Sequence, residues 1–170
     1  MARVGTQLFE QTLGGIARRP RFSLHLRRTR RLIRGLEEKG LREPNVLAIL
    51  TVETFYRPAA LRMLEYVAWL ALSVLRLERV RTMSIGRAQV QLVHWRDLGL
   101  IDSVRFSLGS FARVRNAEIN YEACRRYLHR SEALAEPSPE VITTAYTGAQ
   151  RPEYSSMLRA AHGAIRGSRG

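Results

Sequence analysis

Glu53 is the residue in this chain best suited to acid chemistry. It closes the apolar run Val46-Leu-Ala-Ile-Leu-Thr-Val52, and a helix through that run sets Ile49 and Leu50 one turn behind it. Apolar surroundings disfavour the anion, which raises the pKa and keeps a carboxyl protonated near neutrality. An acid held in that state can protonate a departing sugar oxygen, as glycosidic bond cleavage requires. The same spacing admits a plainer reading. Glu53 would then end an exposed helix and pair with Arg57, four residues on.

Three later segments carry groups that could join such a site. Ser84-Ile-Gly-Arg-Ala-Gln-Val90 contains a turn of the type Gly-x-x-Gln, formed by Gly86, Arg87, Ala88 and Gln89. Asn116 to Leu128 reads as one amphipathic helix, with Ile119, Ala123 and Tyr127 spaced by four and Leu128 beside them. Ala145-Tyr146-Thr147-Gly148 follows. In this order, across residues 45–160, the segments resemble the lytic transglycosylase and goose-type lysozyme superfamily, whose members cleave the glycan strands of bacterial peptidoglycan. Asn116, Asn120, Tyr127 and Leu128 fall in register with the family pattern Asn-Pro-x-x-Asn-Ile-x-x-Gly-x-x-Tyr-Leu. Tyr121 replaces its isoleucine and Cys124 its glycine. Thr54 stands where the family has serine after the catalytic glutamate, and Thr147 where it has asparagine.

The resemblance implies a mainly α, lysozyme-like helical domain with at most a short β-hairpin. It implies catalysis by Glu53 with Tyr146 close by, and substrate contacts from Thr54, Ser84, Gly86, Arg87, Gln89, Asn120 and Thr147. No cofactor or metal is implied. The partner is peptidoglycan, cleaved at the MurNAc-GlcNAc β-1,4 bond, so the protein would act in the periplasm or cell wall. Arg87 replaces an apolar cleft residue of the family and is expected to turn toward a carboxylate of the peptide stem.

The count of carboxylates bears on the product. An inverting hydrolase needs a second acid as base, whereas a lytic transglycosylase uses one glutamate for both proton transfers. Residues 82–96 contain no Asp or Glu, which favours the single-acid route. Glu65 and Glu78 stay open as bases, and Glu65 also reads as a buried partner for an arginine. A muramidase is therefore the alternative within the same class.

The elements that must position these residues are mostly helical. Residues 1–21 read as a loosely structured segment, with a short helix over Gln7 to Leu13 ended by Gly14 and Gly15. A helix is expected from Ser23 to Lys39, terminated by Gly40, and a second from Pro44 to Glu53. A third, from Pro58, carries Leu61, Met63, Leu64, Val67, Trp69, Leu70, Leu72 and Leu75; apolar nearly all round, it is expected at the centre of the core. Met83 to Leu92 reads as a turn or hairpin. Residues 95–115 are the least legible, with Gly99 and Gly109 as breaks. Helices are expected over Ala117–His129, Glu140–Tyr146 and Pro152–Ile165, with Pro137–Pro139 as a loop. The catalytic domain would span 22–165, followed by a disordered tail, 166–170.

Among 170 residues the net charge is +13, and Lys39 is the only lysine. Such a field favours polyanions: nucleic acid, anionic lipid, or a wall rich in carboxylates and phosphates. Arg27, Arg28, Arg30, Arg31 and Arg34 read either as a solvated helix face or as a contact surface for one of these. They carry the competing reading of a nucleic-acid-binding protein; a wall-binding relative without turnover is the other. The single cysteine, Cys124, excludes an intramolecular disulfide and reads as core packing. His94 and Asp97 lack a ligand cluster, so no metal site is expected. Residues 1–19 show no secretory signal, and the longest apolar run, Tyr66 to Leu75, is half the length of about twenty residues needed to span a bilayer. Delivery by a phage particle or secretion apparatus would reconcile this with an extracytoplasmic substrate.

Overall fold

The computed structural model describes residues 18–135 and 137–167. The expected helix over Gln7 to Leu13 and the last residues of the tail lie outside them. The described residues form a mainly α fold with one short hairpin. In chain order these are α1 (Arg18–Glu38), α2 (Pro44–Tyr56), α3 (Ala59–Val74) and a 3-10 turn (Glu78–Thr82). Strands β1 (Ser84–Ile85) and β2 (Val90–Gln91) follow, then α4 (Leu92–Asp97), α5 (Leu108–Arg115), α6 (Ala117–Arg130), α7 (Pro139–Thr147) and α8 (Pro152–Gly167).

The core is built around α2. Pro44 sits in its first turn, where a missing N–H costs nothing. The phenol of Tyr121 on α6 accepts from the Glu43 N–H at 2.9 Å and anchors that end. Every residue from Val46 to Glu53 is buried, so the helix shows no polar face. Thr51 is accommodated because its hydroxyl donates to Leu47 O, 2.8 Å away. Helices α1, α6 and α8 wrap α2, and α8 makes the most extensive contact. Burying Leu47, Ile49 and Leu50 contributes about 1.5–3 kcal/mol each. Pro58 ends the helix by disfavouring α geometry at Arg57, whose φ of −121° and ψ of 79° are not helical.

Helix α3 corrects the expectation of a central, fully buried helix. Only Tyr66 and Trp69 are buried on it, while Met63, Leu64, Val67, Leu70 and Val74 face solvent. Its inner side packs on the 3-10 turn and β1, and Trp69 Nε1 donates to Val104 O at 2.8 Å. No described element covers its outer side. Composition identified an apolar helix; burial depends on neighbours.

Other boundaries moved for local reasons. α1 opens at Arg18, inside the segment read as loose, and α8 continues through Gly167 into the segment read as tail. Gly109 lies within α5 rather than breaking it, because Ser107 caps that helix by accepting from Ser110 N. Pro139 opens α7 behind the Ser138 cap instead of lying in a loop. Gly99 does end α4, at a φ of +69°.

Candidate active site

Glu53 lies in the last turn of α2, 9% exposed. Tyr154 Oη donates to Glu53 Oε1 at 2.7 Å across a buried contact with α8. Tyr154 is itself stacked parallel on Tyr56, ring centroids 6.0 Å apart. Desolvation pushes the Glu53 pKa up to about 7, opposed by the Tyr154 hydrogen bond and the charge of Arg57, with Glu65 adding to the rise. Arg57 does not pair with Glu53 as the plainer reading had it. Its N–H caps α2 at Glu53 O, and its guanidinium meets Glu65 Oε1 at 3.6 Å.

The hairpin turn is held from below by Asn120. Asn120 Oδ1 accepts from Arg87 N at 2.6 Å and Ala88 N at 3.0 Å, while Nδ2 donates to Val114 O and Asn116 O. Gly86 has a φ of +80°, and a Cβ there would stand 2.6 Å from Asn120 Oδ1. Only glycine fits that approach. Gln89, also at positive φ, donates through Nε2 to Gly86 O at 2.9 Å and to Glu65 Oε2 at 3.0 Å. Arg57, Glu65 and Gln89 therefore link the end of the Glu53 helix to the hairpin. Glu65 has a raised pKa, first from desolvation, and is the acid partner that Gln89 and Arg57 share. Arg62 donates to Arg57 O, and its pKa is lowered first by burial and next by the charge of Arg87. Arg87 has no acid partner among the described residues.

Several expected contacts take other roles. Tyr146 does not hydrogen-bond Glu53; Tyr154 does. The Tyr146 hydroxyl is occluded beside the Cys124 thiol, and its ring packs edge-on against Tyr127, 5.7 Å away. Asn120 is fully buried with both amide atoms engaged, so it positions the turn and offers nothing to a ligand. Thr147 Oγ1 is taken up at its own helix end, 2.8 Å from Thr143 O and 2.7 Å from Ala149 O. Thr54 Oγ1 is occluded and unpartnered among the described residues. Ser84, Arg87 and Gln89 remain partly exposed along the hairpin. Asn116 is the cap of α6, accepting from Glu118 N and Ile119 N.

Tyr154 escaped the sequence reading, although a signal existed. Tyr154, Leu158, Ala161 and Ile165 form a buried stripe of α8 with Ser155 beside it, and Tyr154 is the aromatic residue of that stripe with a polar tip.

No group of three metal-binding side chains occurs among the described residues. Burial drives the Cys124 thiol strongly up, so it packs as a small hydrophobe. His94 lies against the Tyr127 ring, and Asp97 pairs with Arg96. A cavity of about 310 Å³ between α7 and α8, lined by Glu140, Gln150, Arg151, Pro152 and Arg159 among others, does not include Glu53. No family model matches the chain, nor does any curated protein or solved structure.

Proposed function

We propose that this protein cleaves peptidoglycan glycan strands at the MurNAc-GlcNAc β-1,4 bond, with Glu53 as general acid and then base. One observation carries the reading: a carboxyl buried in an apolar helix, with a pKa near 7, stands one residue pair away from a glycine-bearing hairpin. A proton retained at neutral pH is what an ether oxygen needs in order to leave.

In the first step Glu53 gives its proton to the departing oxygen as the C1–O bond breaks. The carboxylate then removes the proton of the muramic acid 6-hydroxyl, whose oxygen closes on C1 as a 1,6-anhydro ring. One acid completes the cycle and no water enters. Tyr154 holds Oε1 and steadies the anion between the two transfers. Gln89, Arg87 and Ser84 line the sugar side of the hairpin. Arg87, backed by the charge of Arg62, suits a carboxylate on the peptide stem. The exposed arginines of α1 would then serve as a wall-binding face. Delivery by a secretion apparatus or phage particle fits an enzyme acting in the periplasm or cell wall.

A hydrolytic outcome is the second reading, and Glu65 supports it. Its charge acts on Glu53, and Gln89 and Arg57 hold it in a fixed position, as a base for water would need. Incubation with purified sacculi and mass analysis of the released muropeptides separates the two. Anhydro ends indicate the single-acid route and reducing ends the hydrolase. Absence of release, or equal release by Glu53→Gln, removes Glu53 from catalysis.

A nucleic-acid-binding role draws on a different observation: Arg27, Arg28, Arg30, Arg31 and Arg34 are all exposed on α1. Sequence-independent retention of duplex DNA in a gel shift, falling steeply with salt, would favour it.

A further inference from the structure

The apolar outer face of α3 is the feature that glycan cleavage leaves unexplained. Met63, Leu64, Val67, Leu70, Val74 and Leu75 are between 44% and 71% exposed. At spacings of three and four they form one continuous strip, about 17 Å long at the rise of an α-helix. From Tyr66 to Leu75 the helix carries no charged residue. Exposed contiguous apolar surface of this kind marks a contact site on a protein.

The surroundings of the strip are basic. Arg76, Arg79 and Arg81 are exposed just beyond its C-terminal end, and Glu78 in their midst is engaged by Arg81 at 3.6 Å. The neighbouring loop adds exposed Arg105, and Leu108 at the start of α5 is 80% exposed. That loop is fastened to α3 by Trp69 Nε1 donating to Val104 O and Phe106 N donating to Ser73 Oγ, each at 2.8 Å. The strip and its basic edge are thus held in one arrangement before any partner arrives.

We infer that this face docks on an anionic lipid surface, with the α3 side chains entering the headgroup boundary and the arginines meeting lipid phosphates. The geometry fits an interfacial helix, apolar on one side and lying flat. No helix among the described residues is long and apolar enough to cross a membrane, so α3 rests in the plane. A second copy of the chain fits the face poorly. Pairing two such faces would bring together the arginine edges of chains that each carry +13. An anionic bilayer removes that repulsion and needs no matching groove.

Vesicle flotation tests the assignment with two probes, phosphatidylcholine alone and phosphatidylcholine mixed with phosphatidylglycerol. The full chain should float with the mixed vesicles and not with the neutral ones, with retention falling as salt rises. Val67→Glu and Val74→Glu should each weaken binding about tenfold, the cost of keeping one such side chain out of the apolar layer. Both positions are exposed, and an unchanged melting curve checks that the fold survives. Arg76→Gln with Arg79→Gln should weaken binding to the mixed vesicles only. The inference is overturned if the wild type binds neither vesicle or if Val67→Glu and Val74→Glu bind as well as wild type. It is overturned equally if light scattering finds a dimer that the same two substitutions dissolve. None of these readouts depends on Glu53.

Discussion

A carboxyl with a pKa near 7 inside a folded protein weakens that fold whenever it is charged. An unfolded Glu53 ionises around its ordinary value of 4.5, and the folded one around 7. Below 4.5 both states hold the proton and no penalty exists. Between the two values the unfolded chain binds fewer protons than the folded one, so stability falls as pH rises, and above 7 the loss is complete at about 3 kcal/mol. Glu53→Gln should remove that slope: urea titrations of the variant and wild type converge in acid, and the variant is the more stable above neutrality. Its release of muropeptides should fall by about a hundred- to ten-thousandfold, the usual contribution of a general acid. Tyr154→Phe separates tuning from catalysis. The tyrosine hydroxyl favours the anion, so its loss should raise the Glu53 pKa further and move the alkaline limb of kcat/KM to higher pH. The buried carboxyl also loses its partner, which should cost about 1–3 kcal/mol in a denaturant titration. An unmoved alkaline limb would mean that Tyr154 does not act on the ionisation of Glu53.

At the scale of elements, the hairpin and α6 function as one unit through Asn120. Gly86→Ala places a methyl group 2.6 Å from Asn120 Oδ1 at a φ of +80°. Thermal unfolding should show a loss of about 2–4 kcal/mol from left-handed strain and overpacking together. The hairpin turn and the start of α2 were legible in the sequence because each rests on local chemistry: Gly86 supplies the turn and Pro44 the first helical turn. The role of Asn120 was not. Its register matched a motif, but its amide is used up by Arg87 and Ala88, which lie over thirty positions earlier in the chain. The same limit hid Tyr154, whereas Tyr146 is near enough for the Glu53 charge to act on it. Tyr146 and Tyr154 both sit on helices near the end of the chain, and only the packing of α8 on α2 selects the one that reaches Glu53.

For the whole molecule the net charge is +13, and exposed arginines of α1 contribute to it. Replacing Arg27, Arg30, Arg31 and Arg34 by Gln should reduce sacculus pull-down and flatten its salt dependence. Turnover of a short soluble muropeptide should stay unchanged, because these residues lie outside the Glu53 site; a matching loss on the short substrate would place them within it. The sequence by itself determined the helical character of the chain, the hairpin, the basic surface and the acid at the end of an apolar helix. Each follows from residue type and from spacing within a few turns. Tertiary structure alone decided that α2 rather than α3 is central, that Tyr154 holds the acid, and that Glu65 bridges Arg57 and Gln89. Burial and hydrogen bonding between distant segments depend on which elements meet, and no local pattern encodes that meeting.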